Sequence, residues 1–534
     1  MTHPADIRHV ERKGWVCLML WCVQLEPRAR RVGRWLGPGL ALLVWLVLGP
    51  ALAGGTTRAA PPAEAPPPAL DTAELAVYAP ALRPEFRSDL QRVAHATRYE
   101  IQASLLPGEP PRVVGSQRVR YANQETVALD DLVFRLFPNL PGFGGHMSVG
   151  ELAREGVWLE ARQAEPASVL HVPLRPALPP GATLELSMTF TATLPTDTSN
   201  GYALFAFADG VYALAGFYPI IPVYDDEGWN AELTPPYGDV TFTDVAFYRV
   251  TLRAPAELTL VTSGTVLEVV ESAPGIRTWT AVAGPVRDFY IAASPDYGVI
   301  SREVDGTRIN SYYRGAQAAA GQQALEQSSA ALRLYSRRFG DYPYAELDVV
   351  PTPTNAGGIE YPGVIVVAQQ LYEKRDDFFE LVIAHEAAHQ WWYGLVGNDQ
   401  VDEPWLDEAL ANYSAYHYFE STSGQARADS IRQHFFEEPY QQVQATGQDR
   451  GVAGSVASFD AASYGAIVYG KGPLFFDAVR QRLGDGAFFA ALRRYLASHR
   501  YGIAYPADLV AAFEESSGQS IADLYRQWIE GQSG

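Results

Sequence analysis

In the first half of the chain, apolar and polar residues alternate over short runs that Pro, Gly, Asn and Asp residues separate. Alternation of this kind is typical of half-buried β-strands, and the separating residues favour turns. Because no long helical period lies between the runs, the pattern predicts an antiparallel sheet or sandwich from about Val77 to Ile300. The predicted strands are Tyr99–Leu105, Ser116–Tyr121, Leu132–Phe137, Thr183–Phe190 and Phe247–Leu252.

Beyond Ile300 the apolar residues recur at helical spacing. The segment Ala318–Phe339 has this period, and Gly340 directly after it can end a helix. The further predicted elements are strands at Leu347–Val350 and Gly363–Ala368, helices at Asp377–Tyr393, Pro404–Tyr418, Ser430–Phe436, Gly472–Leu483, Gly486–His499, Pro506–Ser516 and Ile521–Glu530, and a loop at Gly451–Ala466. The predicted fold class is therefore α+β and multidomain, with helices dominating the second half.

The first 53 residues differ from the rest of the chain. Four arginines between positions 28 and 34 precede the apolar run Trp35–Leu48, and Ala51-Leu52-Ala53 is similar to a signal-peptidase cleavage site. Two interpretations stay open: a cleaved signal peptide, or an uncleaved membrane anchor through residues 35–53. Either one predicts export, with the rest of the chain secreted or held on the outer side of the membrane. Residues 54–76 include a Pro/Ala-rich stretch that predicts an extended linker.

Composition narrows the classes of function. A chain of 534 residues predicts two or three domains, and 47% apolar residues are enough to build their cores. A formal net charge of -20 argues against nucleic acid, whose phosphates would be repelled. Because Cys17 and Cys22 both lie in the leader, the remaining chain has no cysteine for a disulfide, a thiolate ligand or a nucleophile.

Candidate chemistry is concentrated between Leu381 and Glu408. His385, Glu386 and His389 form an HExxH pentapeptide inside a predicted helix, and Glu408 follows the second histidine after 18 intervening residues. Residues four apart lie on the same face of a helix, so both imidazoles can bind one metal ion. A tetrahedral zinc with an open water position needs a third protein ligand, which Glu408 on the next helix can supply.

The pentapeptide therefore predicts one Zn²⁺ per chain, bound by His385, His389 and Glu408. Glu386 would point toward the water and act as its general base. Asn412, one helical turn after Glu408, either orients a ligand histidine or is an ordinary solvated helix residue. The sequence leaves these two interpretations open.

Five separated motifs resemble those of the gluzincin zinc aminopeptidases, the family of aminopeptidase N and leukotriene hydrolase. In chain order they read FGDYPYAELDVV, GGIEYPG, HEAAHQWWYG, WLDEALANY and VYGKG. The resemblance implies a saddle-like antiparallel β domain at residues 77–300, followed by a thermolysin-like, mostly helical zinc peptidase domain at residues 301–534. It also implies that His385, His389 and Glu408 bind zinc and that Glu386 is the base.

The resemblance assigns further roles. Glu360 matches the acid that pairs with the free α-amine of a peptide, and Gly357 and Gly358 match backbone that lies alongside the substrate. Tyr469 matches the tyrosine that stabilises the oxyanion, with Tyr464 as a nearby competitor.

The chain also departs from the family pattern. Ile359 and Tyr361 replace the Met and Asn that flank the acid, which leaves the shape of the side-chain pocket open. A second amine-binding residue is not identified, although Gly216–Asp225 occupies the corresponding region. Because the chain ends at Gly534, we expect the family's C-terminal helical domain to be lacking and the cleft to be open or covered by another chain.

These observations predict an aminopeptidase that acts on peptides outside the cytoplasm. A metalloendopeptidase with the same site and a non-catalytic scaffold that keeps the fold are the alternatives. The preferred N-terminal residue and the oligomeric state do not follow from the sequence.

Overall fold

The structure, a computed structural model, describes residues 72–164, 167–199 and 201–532. The predicted leader at residues 1–53 and most of the predicted linker at 54–76 lie outside these ranges. Among the described residues, no helix is both long enough and apolar enough to cross a lipid bilayer.

The described chain begins with short helices rather than with a strand. They are α1 (Thr72–Leu75), two 3₁₀ turns (Ala76–Ala81 and Pro84–Phe86) and α2 (Asp89–Arg92). The first strand begins at Thr97 and contains the first predicted strand, Tyr99–Leu105. The segment before Thr97 packs against the rest of the chain and forms no strand. The ring of Tyr78 lies 4.8 Å from the ring of Phe247, and Leu82 forms an isolated β-bridge with Tyr344 in the second half of the chain.

The first half is built from short strands, as predicted. Four of the five predicted strands lie within observed ones, and Leu132–Phe137 runs past its strand into a 3₁₀ turn at Phe137–Asn139. The strands are β1 (Thr97–Leu106), β2 (Arg112–Ala122), β3 (Leu129–Arg135), β4 (His146–Arg154), β5 (Val157–Trp158), β6 (Arg162–Ala164), β7 (Val169–Leu178), β8 (Thr183–Thr193), β9 (Phe205–Ala208), β10 (Val211–Leu214), β11 (Tyr224–Asp225), β12 (Gly228–Trp229), β13 (Ala246–Pro255), β14 (Thr259–Thr262), β15 (Thr265–Ala273), β16 (Ile276–Val286) and β17 (Ile291–Ser294).

The main sheet of this half is mixed rather than purely antiparallel. Its order is β15-β16-β13-β1-β2-β8-β4-β5, and β1 pairs with β13 in parallel, with Thr97 opposite Ala246. The antiparallel prediction is wrong for this pair because alternation reports which face of a strand is buried and not which strand lies beside it. Smaller sheets, β14-β17-β10-β9 and β3-β7-β6, pack with it.

A second, five-stranded sheet supports the second half. It consists of β18 (Tyr297–Val304), β19 (Thr307–Arg314), β20 (Glu346–Thr352), β21 (Gly358–Ile359) and β22 (Val364–Ala368), in the order β18-β19-β20-β22-β21. The predicted strand Gly363–Ala368 corresponds to β22. Ile300, where the predicted domain boundary lies, falls inside β18, so the β18–β19 hairpin is part of the second sheet. The domain limits themselves stay predictions.

Helices dominate the rest of the chain, as predicted. They are α3 (Ala318–Phe339), α4 (Gln369–Lys374), α5 (Asp377–His389), α6 (Trp405–Ser423), α7 (Gln425–Arg432), α8 (Glu438–Ala445), α9 (Ala461–Tyr464), α10 (Gly472–His499, broken at Gly484 with φ 76°), α11 (Pro506–Ser517) and α12 (Ala522–Leu524), with π turns at Gln433–Glu437, Gly465–Lys471 and Tyr525–Ile529.

Four predicted boundaries need correction. The helix with the pentapeptide ends at His389 rather than Tyr393, and the next one continues past Tyr418 until Gly424 ends it with a φ of 85°. The stretch 425–445 is helical throughout, well beyond Ser430–Phe436. The predicted loop Gly451–Ala466 contains a 3₁₀ turn and α9, which the capping side chain of Asp460 starts.

Candidate active site

Helix α5 carries the pentapeptide into the interior. The side chain of Asp376 caps the helix by accepting a hydrogen bond of 3.1 Å from the Phe379 amide. At the other end the Gly394 amide donates to the His389 carbonyl, and a Cβ on Gly394 would lie 2.7 Å from the Gln390 carbonyl oxygen. Only glycine permits this tight turn, which explains why the helix ends four residues earlier than its apolar period predicts.

Three ligand atoms converge, as the spacing predicts. The Nε2 atoms of His385 and His389 lie 3.0 Å apart, and Oε2 of Glu408 lies 3.1 Å from the first and 3.3 Å from the second. A tetrahedral zinc with bonds of about 2.0–2.1 Å places its ligand atoms roughly 3.3–3.4 Å apart. Oε2 of Glu408 is buried and makes no hydrogen bond to any described residue. The residues present therefore fit a zinc ion.

The orientation of His389 agrees with this fit. Its Nδ1 lies 3.0 Å from the Trp392 carbonyl oxygen, to which it donates, so the lone pair of Nε2 points at the other two ligands. The indole of Trp392 in turn donates to Ser414 Oγ at 3.1 Å, which fixes the end of α5 against α6. Glu408 lies in the first turn of α6, where the helix dipole favours a carboxylate.

The charges of the three residues suit a metal ligand set. Burial lowers the pKa of His385, and His389 lowers it further. Burial alone would raise the pKa of Glu408, but the two histidines outweigh it and hold that pKa well below the usual range. Burial also works against protonation of His389, yet Glu360 and Glu408 raise its pKa well above the usual value. Metal binding would therefore displace a proton from His389.

Glu386 lies beside these ligands and contacts the edge strand β21. Its Oε2 is buried without a hydrogen bond to a described residue, and burial raises its pKa well above the usual range, with a further contribution from Glu360. A Cβ on Gly358 would lie only 2.4 Å from Glu386 Oε1, whereas one on Gly357 would lie 3.3 Å from Val382 Cγ2. Gly358 therefore lets the backbone of β21 lie against the carboxylate.

Glu360 follows β21 directly and is buried, with 7% of its surface exposed. The side chain of Gln390 holds the turn around it: Oε1 accepts a hydrogen bond of 2.9 Å from the Gly363 amide, and Nε2 donates to the Tyr361 carbonyl at 3.2 Å. This glutamine comes directly after His389, so the same helix end positions a ligand and the acid. Glu360 is thus a pocket residue rather than a surface loop carboxylate.

Gln400 connects Glu360 to the ligand helix. Its Nε2 donates to Glu360 Oε1 and to Asp407 Oδ2, both at 2.7 Å. Asp407 also accepts from Asn398 Nδ2 at 3.0 Å, and its carboxyl lies 3.9 Å from His389 Nδ1. Burial, together with Glu408, raises the pKa of Asp407 to about 7.

Tyr469 reaches the site from the π turn Gly465–Lys471. Its hydroxyl donates a short hydrogen bond to Glu408 Oε1, and its ring lies 5.9 Å from the ring of His385. Burial and the charge of Glu408 raise the pKa of Tyr469 well above the usual value, so the phenol stays protonated and can donate. Asn412 donates to the Tyr469 carbonyl at 2.9 Å, so it positions this tyrosine rather than a histidine. π turns of this kind are frequent at functional sites.

Tyr464, the competing tyrosine, is also at the site. Its ring packs edge-on to that of Tyr469 at 5.7 Å, and its hydroxyl is buried without a hydrogen bond to a described residue. The structure therefore brings both tyrosines together and gives only Tyr469 a contact with a predicted ligand.

Sequence reasoning missed several residues around this centre. Asp239, in the loop between β12 and β13, lines a pocket with Glu360, and burial together with Glu360 and Glu408 raises its pKa well above the usual range. Asp407 could have been suspected, because it precedes Glu408 in WLDEAL. No motif indicates Asp239 or Gln400, which lie far along the chain from the residues they contact.

The fold and the site define the class: a β-rich first half joined to a mainly helical half, with an HExxH helix and a distal glutamate arranged as in zinc metallopeptidases. Residues 323–528 match the family model of the Peptidase family M1 domain. Aminopeptidase M1-A of Oryza sativa subsp. japonica is 27% identical over 418 residues, which are 72% of this chain and 45% of that protein. Aminopeptidase N of Streptomyces lividans is 25% identical over 358 residues, which are 62% of this chain and 40% of that protein.

A solved structure extends the likeness to the fold. The M1 zinc metallopeptidase from Deinococcus radiodurans has a TM-score of 0.63 at 19% identity, over 82% of this chain and 95% of that one. The chain spans less than half the length of the curated relatives named above. These matches and the five motifs support the gluzincin aminopeptidase family, peptidase family M1, for this chain.

Proposed function

We propose that the protein is a zinc aminopeptidase that removes N-terminal residues from peptides. The observation that carries this proposal is the convergence of His385 Nε2, His389 Nε2 and Glu408 Oε2 within 3.0–3.3 Å of one another. The similarity of the chain to aminopeptidases of peptidase family M1 supports the same activity. A mutant of the Deinococcus radiodurans protein was solved with a Tyr-Ser-Ala substrate bound, which supports peptides as the substrate class.

In the mechanism we infer, a bound zinc would polarise the scissile carbonyl and lower the pKa of water. Glu386 takes the proton from the attacking water and passes it to the leaving amine. This role needs a carboxylate that lies close to the ligands and whose basicity burial has raised, and Glu386 has both properties. The mostly helical half would then correspond to a thermolysin-like catalytic domain.

Tyr469 contributes a hydrogen bond to the carbonyl oxygen as it becomes negative. In the structure the hydroxyl of Tyr469 donates to Glu408 Oε1, within the ligand cluster. A small rotation of the side chain would redirect the hydroxyl to the substrate. A donor used mainly in the transition state raises turnover more than it raises affinity.

Glu360 makes the enzyme an exopeptidase. Its buried carboxylate would pair with the free α-ammonium of the substrate, while the glycine backbone of β21 runs beside the peptide. A peptide that lacks this charge would leave Glu360 desolvated and unpaired. Binding at Glu360 therefore fixes the cleavage point one residue from the N-terminus.

The test compares free and N-acetylated peptides of the same sequence with the purified chain, before and after chelation and zinc addition. We expect zinc-dependent release of single N-terminal residues and at least a hundredfold slower cleavage of the acetylated peptide. Equal cleavage of both peptides would contradict the exopeptidase proposal and favour a metalloendopeptidase. Activity that chelation leaves unchanged would contradict the zinc proposal.

Action outside the cytoplasm remains a proposal that rests on residues 1–53, which lie outside the described ranges. Mass spectrometry of the N-terminus of the chain, isolated from membrane and secreted fractions, would separate a cleaved leader from an anchor. Recovery of the intact chain from the cytoplasm alone would contradict export.

A further inference from the structure

A pocket lies beside Glu360 and is lined mainly by apolar and aromatic side chains. Phe137, Phe143, Tyr361 and Tyr393 contribute to its walls. Under the proposed function, on which this inference rests, Glu360 binds the α-ammonium, and the pocket therefore receives the side chain of the N-terminal residue.

Besides Glu360 and Asp239, the pocket is lined by a third acid, Asp288, which is buried and has one available oxygen. Asp288, in the segment between β16 and β17, lines the pocket and has 4% of its surface exposed. Its Oδ1 accepts hydrogen bonds from the Tyr218 hydroxyl at 2.9 Å and from the Phe289 amide at 2.6 Å. These two bonds fix the carboxyl group and leave Oδ2 as the oxygen available to a ligand.

No basic side chain neutralises this acid. Among the described residues that line the pocket there is neither lysine nor arginine. The neighbouring Arg287 directs its guanidinium away, to the carbonyl oxygens of Thr243, Tyr393 and Gly502. Burial raises the pKa of Asp288 to about 6, while its two hydrogen bonds lower it, so the carboxyl is mostly ionised at neutral pH.

Asp288 and Glu360 lie on segments that pack side by side. Tyr290, two residues after Asp288, stacks on Tyr361, one residue after Glu360, with ring centroids 4.0 Å apart and planes within 3°. Both carboxylates line the same pocket as Tyr361. A single amino acid residue could therefore present one positive group to each.

We propose that the pocket selects peptides whose N-terminal residue is arginine or lysine, and that Asp288 is the specificity-determining residue. The α-ammonium would pair with Glu360 and the side-chain cation with Asp288. The aromatic walls suit the stem of either side chain and the flat face of a guanidinium. An uncharged side chain would leave Asp288 buried without a counter-ion, which is costly.

The test uses pairs of arylamide substrates that differ in charge but hardly in shape: arginine against citrulline, and lysine against norleucine. We expect kcat/KM to be at least tenfold higher for the charged member of each pair. Asp288→Asn should bring each ratio to within about threefold of one. Asp296→Asn, at an exposed acid outside the pocket, is the matched control.

Equal rates for arginine and citrulline in the unaltered chain would overturn the inference, whether or not Asp288→Asn folds. A preference for tyrosyl over phenylalanyl substrates, with no preference for arginyl over citrullyl substrates, would also overturn the inference. Asp288 would then be a hydrogen-bond acceptor for a phenol. Retention of the arginine preference in Asp288→Asn would also overturn it.

Calorimetry of the chelator-treated chain with free arginine and citrulline separates this inference from the proposed function. If arginine binds more tightly than citrulline and Asp288→Asn abolishes the difference, the pocket assignment is supported. This holds even if no arylamide is cleaved, because lack of cleavage would contradict only the peptidase activity. Equal binding of the two amino acids would overturn the pocket assignment even if norleucyl-arylamide cleavage were zinc-dependent.

Discussion

Replacing Gly358 by alanine should disable turnover while leaving the metal site intact. A Cβ at this position would lie 2.4 Å from Glu386 Oε1, 2.6 Å from its Cγ and 2.7 Å from its Cδ. Gly358 does not have a left-handed backbone conformation, so alanine adds no backbone strain. The perturbation is therefore confined to the contact between β21 and one side chain.

The size of the effect follows from these distances. Ordinary carbon contacts begin at about 3.5 Å, so either Glu386 or the strand must move by roughly 1 Å. A misplacement of about 1 Å can lower the rate on the order of a hundredfold. We expect kcat to fall by about that factor and the free energy of unfolding to fall by about 1–3 kcal/mol, the usual cost of overpacking. Because His385, His389 and Glu408 are not touched, zinc binding should persist.

The assay measures kcat on an aminoacyl-arylamide, zinc per chain by atomic absorption, and denaturant stability. Gly486→Ala, outside the site, is the matched control, since its Cβ would have no neighbouring atom within 4 Å. Its turnover should stay within about threefold of the unaltered chain. Wild-type turnover in Gly358→Ala, or loss of zinc rather than of turnover, would refute the reasoning.

Three other predictions follow from the described contacts. Glu386→Gln should lower kcat by about a thousandfold with zinc retained, because the proton acceptor is lost; undiminished turnover at full zinc content would contradict the base assignment. Tyr469→Phe should lower kcat about a hundredfold and change KM by less than about threefold, and an equal rise in KM would point to ground-state binding instead. Hydrogen bonds from His417 and Arg480 lower the pKa of Glu420 to about 2, so Glu420→Gln should cost about 1–2 kcal/mol of stability at pH 7 after solvent screening. A carboxyl group whose pKa is lower in the folded than in the unfolded state stabilises the fold at pH values above its unfolded pKa. Urea titrations should therefore show the stability difference between the unaltered chain and Glu420→Gln shrinking from about pH 4.5 toward pH 2. A difference that does not depend on pH would contradict this prediction.

Local patterns were enough to predict much of the molecule. A period of two along a strand and a period of 3.6 along a helix depend only on neighbouring residues. Four of the five strands predicted in the first half therefore lie within observed ones, and the helix of His385 and His389 begins at the predicted residue, Asp377. The spacing of the pentapeptide likewise determines which side chains share a helix face. The structure places Glu408 Oε2 3.1 and 3.3 Å from the two imidazoles, the arrangement that the predicted ligand set requires.

Features that depend on distant partners could not be predicted. The parallel pairing of β1 with β13 leaves no trace in the alternation of either strand. Asp239 and Asp288 come from loops of the first half, and Gln400 acts by linking two acids that are separated in sequence. Their roles arise from the way the two halves pack, and the chain carries no local signal for that packing.

The π turn at Gly465–Lys471 affects how mutation can alter this protein. A π turn contains about one residue more than a regular helical turn, and each residue of an α-helix advances by about 100°. Loss of a single residue here would restore regular helical geometry. The same loss would swing the phenol of Tyr469 away from Glu408, so a one-codon deletion would remove the hydrogen bond between them.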